Sequence, residues 1–368
     1  MKNERLFFLV FSELEECFGR CVVWIRFDIL FNFWVHKFNK SIVVRVKEGN
    51  SIKRILMKKN FLMYNLAILM AFSFLFVACN NDDDDTQPQP QSIVEIAAAD
   101  AQFSTLVDAL TRVNLVSVLE GAGPFTVFAP TNAAFDALGV DLSTISDEDL
   151  TEILLYHVLG AEVTSGQIQE GQTYVTTAAT TGPNDNQLSM LIEKAGTAVT
   201  INGDISVSTP DIDATNGVIH VVNKVITPLD VVGHAVANSA FSSLVGALGA
   251  ADGDLVNVLK SDGPFTVFAP VDDAFAAIQS TVDGLTTEQL AKVLTYHVVA
   301  GANVRSTDLT NGQVVSTVNT PTTFTVNLGN EVTITDANGG TSTVVLTDVQ
   351  ATNGVIHVLN TVIIPNNL

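Results

Sequence analysis

Beyond residue 78 the chain has no tryptophan, three tyrosines, one cysteine and six basic residues. A single cysteine, Cys79, cannot form an intrachain disulfide there, so a hydrophobic core must hold that region, as its size allows. Its six Lys+Arg face 33 Asp+Glu, a net charge of −27. Such a body repels nucleic-acid phosphates and anionic membrane surfaces, which excludes both as partners of the folded part. With only Tyr156, Tyr174 and Tyr296, it is short of the aromatic platforms a glycan binder uses. Chemistry-bearing motifs are missing too. There is no HExxH, no CxxC and no carboxylate–histidine cluster at metal-ligand spacing, and no G-x-S-x-G elbow for a nucleophilic serine. Gly121-Ala-Gly-Pro is a turn leading into a strand, not a phosphate loop. The expectation is a protein with no catalytic residues, no metal and no cofactor.

What is abundant divides the chain. Residues 1–78 hold 12 of the 18 Lys+Arg, both tryptophans and 12 of the 21 phenylalanines. From Met57, "MKKNFLMYNLAILMAFSFLFVAC" places Lys58 and Lys59 before an apolar run from Phe61 to Ala78. A basic n-region, an apolar h-region and a small residue at the cut describe an export signal. Its length of 18 residues is just enough for a retained membrane helix, but the residues after the run favour cleavage. Cys79 stands at the cut before "NNDDDDTQPQPQ", an acidic Pro/Gln-rich linker to residue 91. This succession resembles a bacterial lipoprotein, in which the cysteine is acylated and becomes the new N-terminus. Phe76, where leucine is usual, makes the lipobox a loose one. The resemblance implies lipidation of Cys79 and anchoring in the cell envelope at the outer membrane, with the domains either facing the periplasm or displayed at the cell surface, the latter being what an acidic run such as Asp82–Asp85 marks. As residues alone, those aspartates read as a solvated spacer rather than a calcium chelator. Translation is expected to start at Met57. Residues 1–56 are then an upstream extension without a folded role, and the C-x3-C pair Cys17 and Cys21 carries no meaning.

Past the linker the chain repeats itself. "GPFTVFAP" occurs at 123–130 and again at 263–270. "FSTLVDAL" (103–110) answers "FSSLVGAL" (241–248), and "YHVL" (156–159) answers "YHVV" (296–299). "ATNGVIHVVNKVITP" (214–228) answers "ATNGVIHVLNTVIIP" (351–365). The order is kept and the offset stays between 137 and 140, the size of a domain rather than a solenoid unit. Two domains, 92–228 and 229–368, are expected, with almost no linker between Pro228 and a helix near Val231. Within each, Leu106, Leu110 and Val113 have helical spacing after Phe103. "PFTVFA" reads as a buried strand stopped by Pro130. Asn132 and Asp272, each shortly before a phenylalanine, read as helix N-caps of unchanged chemistry. "SDEDLTEILLYHVL" is a helix capped by Ser146 or Asp147, the Thr/Val-rich stretch 163–209 holds several strands, and Asn-Gly turns into a closing apolar strand.

Two "TVFAP(T/V)(N/D)xAF" blocks, a central "YH" and a terminal "NGVIHVxNxVIxP" resemble the fasciclin domain. The resemblance spans 92–228 and 229–368. It implies an α+β fold, two tandem domains each a β-sandwich wedge with helices along one edge. It also implies adhesion outside the cell, between cells, to matrix or in biofilm. The ligand is then an extracellular protein or polysaccharide, and an accessory glycan- or polymer-binding lipoprotein is the alternative.

Four histidines pair between the copies: His157 with His297, and His220 with His357. His157 lies on the stripe of Leu150, Ile153 and Leu154, and His220 shares a strand face with Val218 and Val222. Both pairs are expected to be neutral buried imidazoles bonded to backbone, and His234, opposite Ile96 of the first copy, is incidental. In fasciclin-type adhesion proteins the YH motif has been implicated in receptor contact, which makes Tyr156 and Tyr296 the candidate adhesion residues. Each ring stands one helical step of about 100° from its histidine. It is either a surface anchor or packed into the domain edge. "Asp336-Ala-Asn-Gly-Gly" is a turn with a weak calcium alternative.

Overall fold

The structure, a computed structural model, describes residues 42–48, 51–57 and 90–368. Ile42–Glu48 (β1) and Ser51–Met57 (β2) form an antiparallel hairpin with Ile42 opposite Met57. A hairpin thus occupies part of the stretch for which no folded role is expected; two strands alone are marginal in water. Residues 58–78 of the signal, Cys79 and Asp82–Asp85 lie outside the described residues.

The first repeat opens with helices α1 (Ile93–Ala99), α2 (Ser104–Arg112) and α3 (Val116–Leu119). Strand β3 (Phe125–Pro130), helix α4 (Asn132–Leu138), helix α5 (Asp147–Tyr156) and strand β4 (Val158–Leu159) follow. Then come β5 (Gly171–Thr176), β6 (Ser189–Ala195), β7 (Ala198–Ile201), β8 (Ile205–Ala214) and β9 (Gly217–Val222). They make one seven-stranded sheet in the order β4-β3-β9-β8-β7-β6-β5. The octapeptide strand β3 pairs in parallel with β9, Phe125 opposite Gly217 and Pro130 opposite Val222. The two blocks most alike between the copies are therefore neighbours, second and third in the sheet. Both are almost wholly apolar because both faces are covered. On one face Val127, Ala129, Ile219 and Val221 meet Phe103, Leu106, Leu150 and Leu154 of the helices. On the other, Phe128 and Val222 meet Met190, Ile192, Val199 and Ile201. That second contact requires the sheet to fold back on itself, and it does so on β8, whose pairing with β9 slips twice around Thr209. Irregularities of this kind bend a strand and sharpen its twist. The result is a sandwich wedge with a helical layer, mixed α+β.

The second repeat copies this. Its helices are α6 (Val231–Ala237), α7 (Ser242–Ala250), α8 (Leu255–Leu259), α9 (Asp272–Ala277), α10 (Gln279–Val282) and α11 (Thr287–Tyr296). Its strands are β10 (Phe265–Pro270), β11 (Val298–Ala300), β12 (Gln313–Ser316), β13 (Thr323–Leu328), β14 (Val332–Thr335), β15 (Thr341–Ala351) and β16 (Gly354–Leu359). The sheet order is β11-β10-β16-β15-β14-β13-β12, with β10 and β16 parallel.

The repeats abut. Tyr174 on β5 accepts a hydrogen bond from Asn238 Nδ2 (3.1 Å), and Gln172 donates to the Ser239 hydroxyl (2.9 Å). The Gln350 N–H donates to Ser189 Oγ (2.9 Å), and Arg305 Nη1 donates to Asn186 Oδ1 (2.9 Å). Edge strand β5 of the first domain thus rests on the segment that ends α6 of the second.

Candidate functional site

The YH motif closes helix α5. Ser146 caps its start, accepting from the Asp149 N–H (3.1 Å), and Asp147, Glu148 and Asp149 complement the positive end of the helix. Tyr156 is its last residue and is 0% exposed. Its hydroxyl donates to the Ser189 carbonyl (2.8 Å) and accepts from Asn202 Nδ2 (3.3 Å). Tyr296 is also 0% exposed; its hydroxyl donates to the Thr323 carbonyl (2.8 Å) and accepts from the Ala337 N–H (2.9 Å). Burial pushes both phenols up from their ordinary pKa. This corrects the surface-anchor expectation for Tyr156 and Tyr296. The helix end is wedged between two cores. Leu150 and Leu154 belong to the helix-side core and Tyr156 to the sandwich interior. Two residues past Leu154, about 200° around the helix, the ring has therefore passed from one core into the other, not into water.

His157, just past the helix, ties its end to the last segment of the domain. Its Nδ1 lies 2.7 Å from the Ile153 carbonyl, and its Nε2 accepts from the Ile226 N–H (2.9 Å). A backbone N–H needs a lone pair at Nε2, so the proton sits on Nδ1. His297 repeats the arrangement with Val293 (2.8 Å) and Ile363 (3.2 Å). Burial pushes each imidazole down to about 4. His220 and His357 take the opposite tautomer. In His220, Nδ1 accepts from the Asp211 N–H (3.2 Å) and Nε2 donates to the Val163 carbonyl (2.8 Å). In His357 the partners are the Asp348 N–H (3.4 Å) and the Val304 carbonyl (2.8 Å). Each ring lies against a phenylalanine of the octapeptide strand, Phe128 at 5.4 Å and Phe268 at 5.3 Å. Burial lowers the His357 pKa.

A serine and an aspartate stand beside each of these strand histidines, but the geometry is not that of a nucleophile. The Ser165 N–H donates to Asp211 Oδ1 (2.7 Å) and its hydroxyl to Oδ2; Ser306 and Asp348 repeat the pair. The serine proton points at the carboxylate, and both nitrogens of the histidine are spent on backbone. A working base needs a free nitrogen on the hydroxyl. Partial burial works against ionisation of Asp211, but the Ser165 bonds outweigh it and lower its pKa. The clamp holds the bulge of β8, where Asp211 has φ 59°. The weak calcium alternative at Asp336 has a similar end. Oδ1 accepts from the Asn338 and Gly340 N–H groups and Oδ2 from Ile364, so its carboxylate is occupied by backbone.

Asn132 and Asp272 do not cap the helices they precede. The N-cap of α4 is Thr131, which accepts from Ala134, and Asn132 reaches across to another helix. Its Oδ1 accepts from the Thr105 N–H (3.0 Å), and its Nδ2 donates to the Ala101 carbonyl (2.9 Å) and the Ser104 hydroxyl (3.0 Å). Asp272 does the same at α7, accepting from the Ser243 N–H (2.7 Å) and the Ser242 hydroxyl (2.5 Å). The oxygen serves a free N-terminal amide as expected, but of the neighbouring helix. Sequence spacing cannot distinguish a local cap from a tertiary one.

The residue that sequence reading undervalued is the Asn of each Asn-Gly. Asn216 is buried; its Oδ1 accepts from the Ile93 N–H (3.0 Å) and its Nδ2 donates to Leu119 (2.7 Å) and Gly121 (2.9 Å). Asn353 makes the same bonds to Val231, Leu259 and Ser261. Gly217 follows at φ 150°, and a Cβ there would lie 1.9 Å from the Phe125 carbonyl oxygen. The signal for it is the "ATNGVIHV" unchanged in both copies, where Asn-Gly by itself specifies only a turn.

Comparison with known proteins fits this geometry. The Fasciclin domain model matches residues 101–228 and 239–365, and the chain belongs to the fasciclin domain family. Protein sll1483 of Synechocystis sp. is 41% identical over 144 residues, 37% of this chain and 73% of that protein. Stabilin-2 of Rattus norvegicus is 31% identical over 222 residues, 53% of this chain and 14% of that protein. Human periostin is 29% identical over 261 residues, 68% of this chain and 29% of that protein. A solved FAS1 domain pair from the insect cell adhesion molecule Fasciclin I aligns with TM-score 0.44 and 17% identity over 71% of this chain and 96% of its own. Fasciclin domains occur in adhesion proteins, the stabilins and periostin among them, and such relatives are extracellular or secreted.

Proposed function

We propose that this protein is a lipid-anchored adhesion module of the cell envelope. It mediates cell–cell, cell–matrix or biofilm contact through an extracellular protein or polysaccharide and catalyses no reaction. Membership of the fasciclin family carries the reading, with two domains in tandem. The export signal and Cys79 support the anchor, and Asp82–Asp85 support display at the outer-membrane surface. The placement of the side chains bears on the kind of contact. Among the described residues no aromatic ring is exposed, and the serines and histidines nearest to one another are bound to carboxylate or backbone. Contact then falls to polar, acidic and aliphatic surface, which suits a partner with basic groups better than a stacked sugar ring. The test is capture by the soluble 92–368 fragment from envelope proteins and matrix polysaccharides at low and high salt. Salt-sensitive capture of one envelope protein is expected. Equal salt-insensitive retention on neutral polysaccharide would favour the accessory glycan-binding alternative instead.

A further inference from the structure

Helix α6 carries a histidine where the first repeat has Ile96. His234 is 0% exposed, and neither of its ring nitrogens meets a hydrogen-bond partner. Buried polar groups avoid that condition, and an exception calls for an explanation. The ring leans on Tyr174 of the first domain, with centroids 5.7 Å apart and planes at 57°. One turn further on, Asn238 donates to the Tyr174 hydroxyl. The imidazole is thus part of the contact between the domains. His157, His297, His220 and His357 are each bonded at both nitrogens; neither nitrogen of His234 is.

We propose that His234 is a proton-operated latch, whose protonation expels the ring from its contact with Tyr174 and separates the two fasciclin domains. No charge nearby holds the imidazolium in place. On the first-domain side, Glu193 accepts from Gln172 (3.3 Å), and Asp204, paired with Lys224, follows Gly203, which abuts Ala237 at the end of α6. On β15, Asp348 faces Arg305, and on α6 itself Asp230 caps the helix through the Gly233 N–H. Among the described residues none of these forms a hydrogen bond or ion pair with His234. The Tyr174 phenol is pushed up to about 12 by burial and stays neutral. The Gln350 backbone favours the charged form, but it is out of hydrogen-bond geometry and counts for less than burial. Burial therefore dominates and takes the imidazole from 6.5 down to about 4.

A depressed imidazole pKa fixes the sign of the pH dependence. The docked pair binds fewer protons than the separated one, so docking is at full strength above about 6.5 and weakens as pH falls through 4. At pH 5 the docking equilibrium is weaker by about 30-fold. The test uses the full chain in detergent with dyes on non-natural residues at Ala137 and Ala277, both exposed. Energy transfer between the dyes is followed from pH 7.5 to 4 beside the imidazole NMR signals and far-UV circular dichroism. Loss of transfer is expected to track the titration of His234 while the dichroism holds. His234→Ile, the residue of the first repeat, and His234→Phe, which keeps a ring against Tyr174, should both abolish that step; either alone suffices if the other does not fold. Three results would overturn the latch. One is His234 titrating with transfer unchanged, a second is its staying neutral until the dichroism collapses, and the third is a variant opening at the same pH as the wild type.

Discussion

Replacing His157 with alanine removes the strut that joins helix α5 to the segment after β9. At pH 7 the loss comprises two hydrogen bonds and the packed volume of a buried ring, with the Ile226 N–H left unpaired inside. Together these cost about 3 kcal/mol. The acid side of the profile gives a sharper test. The imidazole is pushed from 6.5 to about 4 by burial, so the folded state binds fewer protons than the unfolded one. Its contribution is complete above 6.5 and falls away as pH drops through 4. At pH 5 the wild type has lost about 2 kcal/mol through this one group, and the variant, lacking it, has not. The stability gap should therefore shrink from about 3 kcal/mol at pH 7 to about 1 kcal/mol at pH 5. Urea unfolding followed by far-UV circular dichroism at both pH values measures it. His297 is untouched in both proteins and cancels. A gap independent of pH would refute the reasoning, because it would mean that burial does not keep His157 neutral.

Tyr156→Phe leaves the Ser189 carbonyl and Asn202 amide without their shared partner. It should cost about 1–2 kcal/mol while leaving attachment per folded molecule unchanged; reduced attachment at full stability would restore the surface-anchor reading. Asn216→Ala unpairs one N–H and two carbonyls and should cost about 2–4 kcal/mol, read as a fall in thermal midpoint. A loss under about 1 kcal/mol would mean that water replaces those bonds. Gly217→Ala places a Cβ 1.9 Å from the Phe125 oxygen, so soluble expression should collapse; a variant of normal yield would contradict the close approach of β9 to β3.

The repeat and the parallel strands β3 and β9 were legible because strands buried on both faces leave a continuous apolar signature, and each left its own twice. Helix α5 and its Ser146 cap were legible because the rules for a helix start are local. The pairing of β3 with β9 was not, since the order of strands far apart in the chain leaves no trace in periodicity. For the same reason Asn132 and Asp272 looked like local caps. Helical spacing sets Tyr156 about 100° around from His157, but it is silent on what lies there, and a second core does. His234 looked incidental because Tyr174, the ring it leans on, belongs to the other repeat.

Anchored adhesion is tested most directly at Cys79. Cells carrying Cys79→Ser are compared with wild type for the membrane-bound share of the protein and for attachment to one another and to matrix. The expected result is a protein without lipid, either released from the membrane or left with its signal uncleaved, with unchanged melting of its two domains and with attachment lost. Attachment that persists with the protein fully soluble, or a wild-type protein never found in the membrane fraction, would contradict the account.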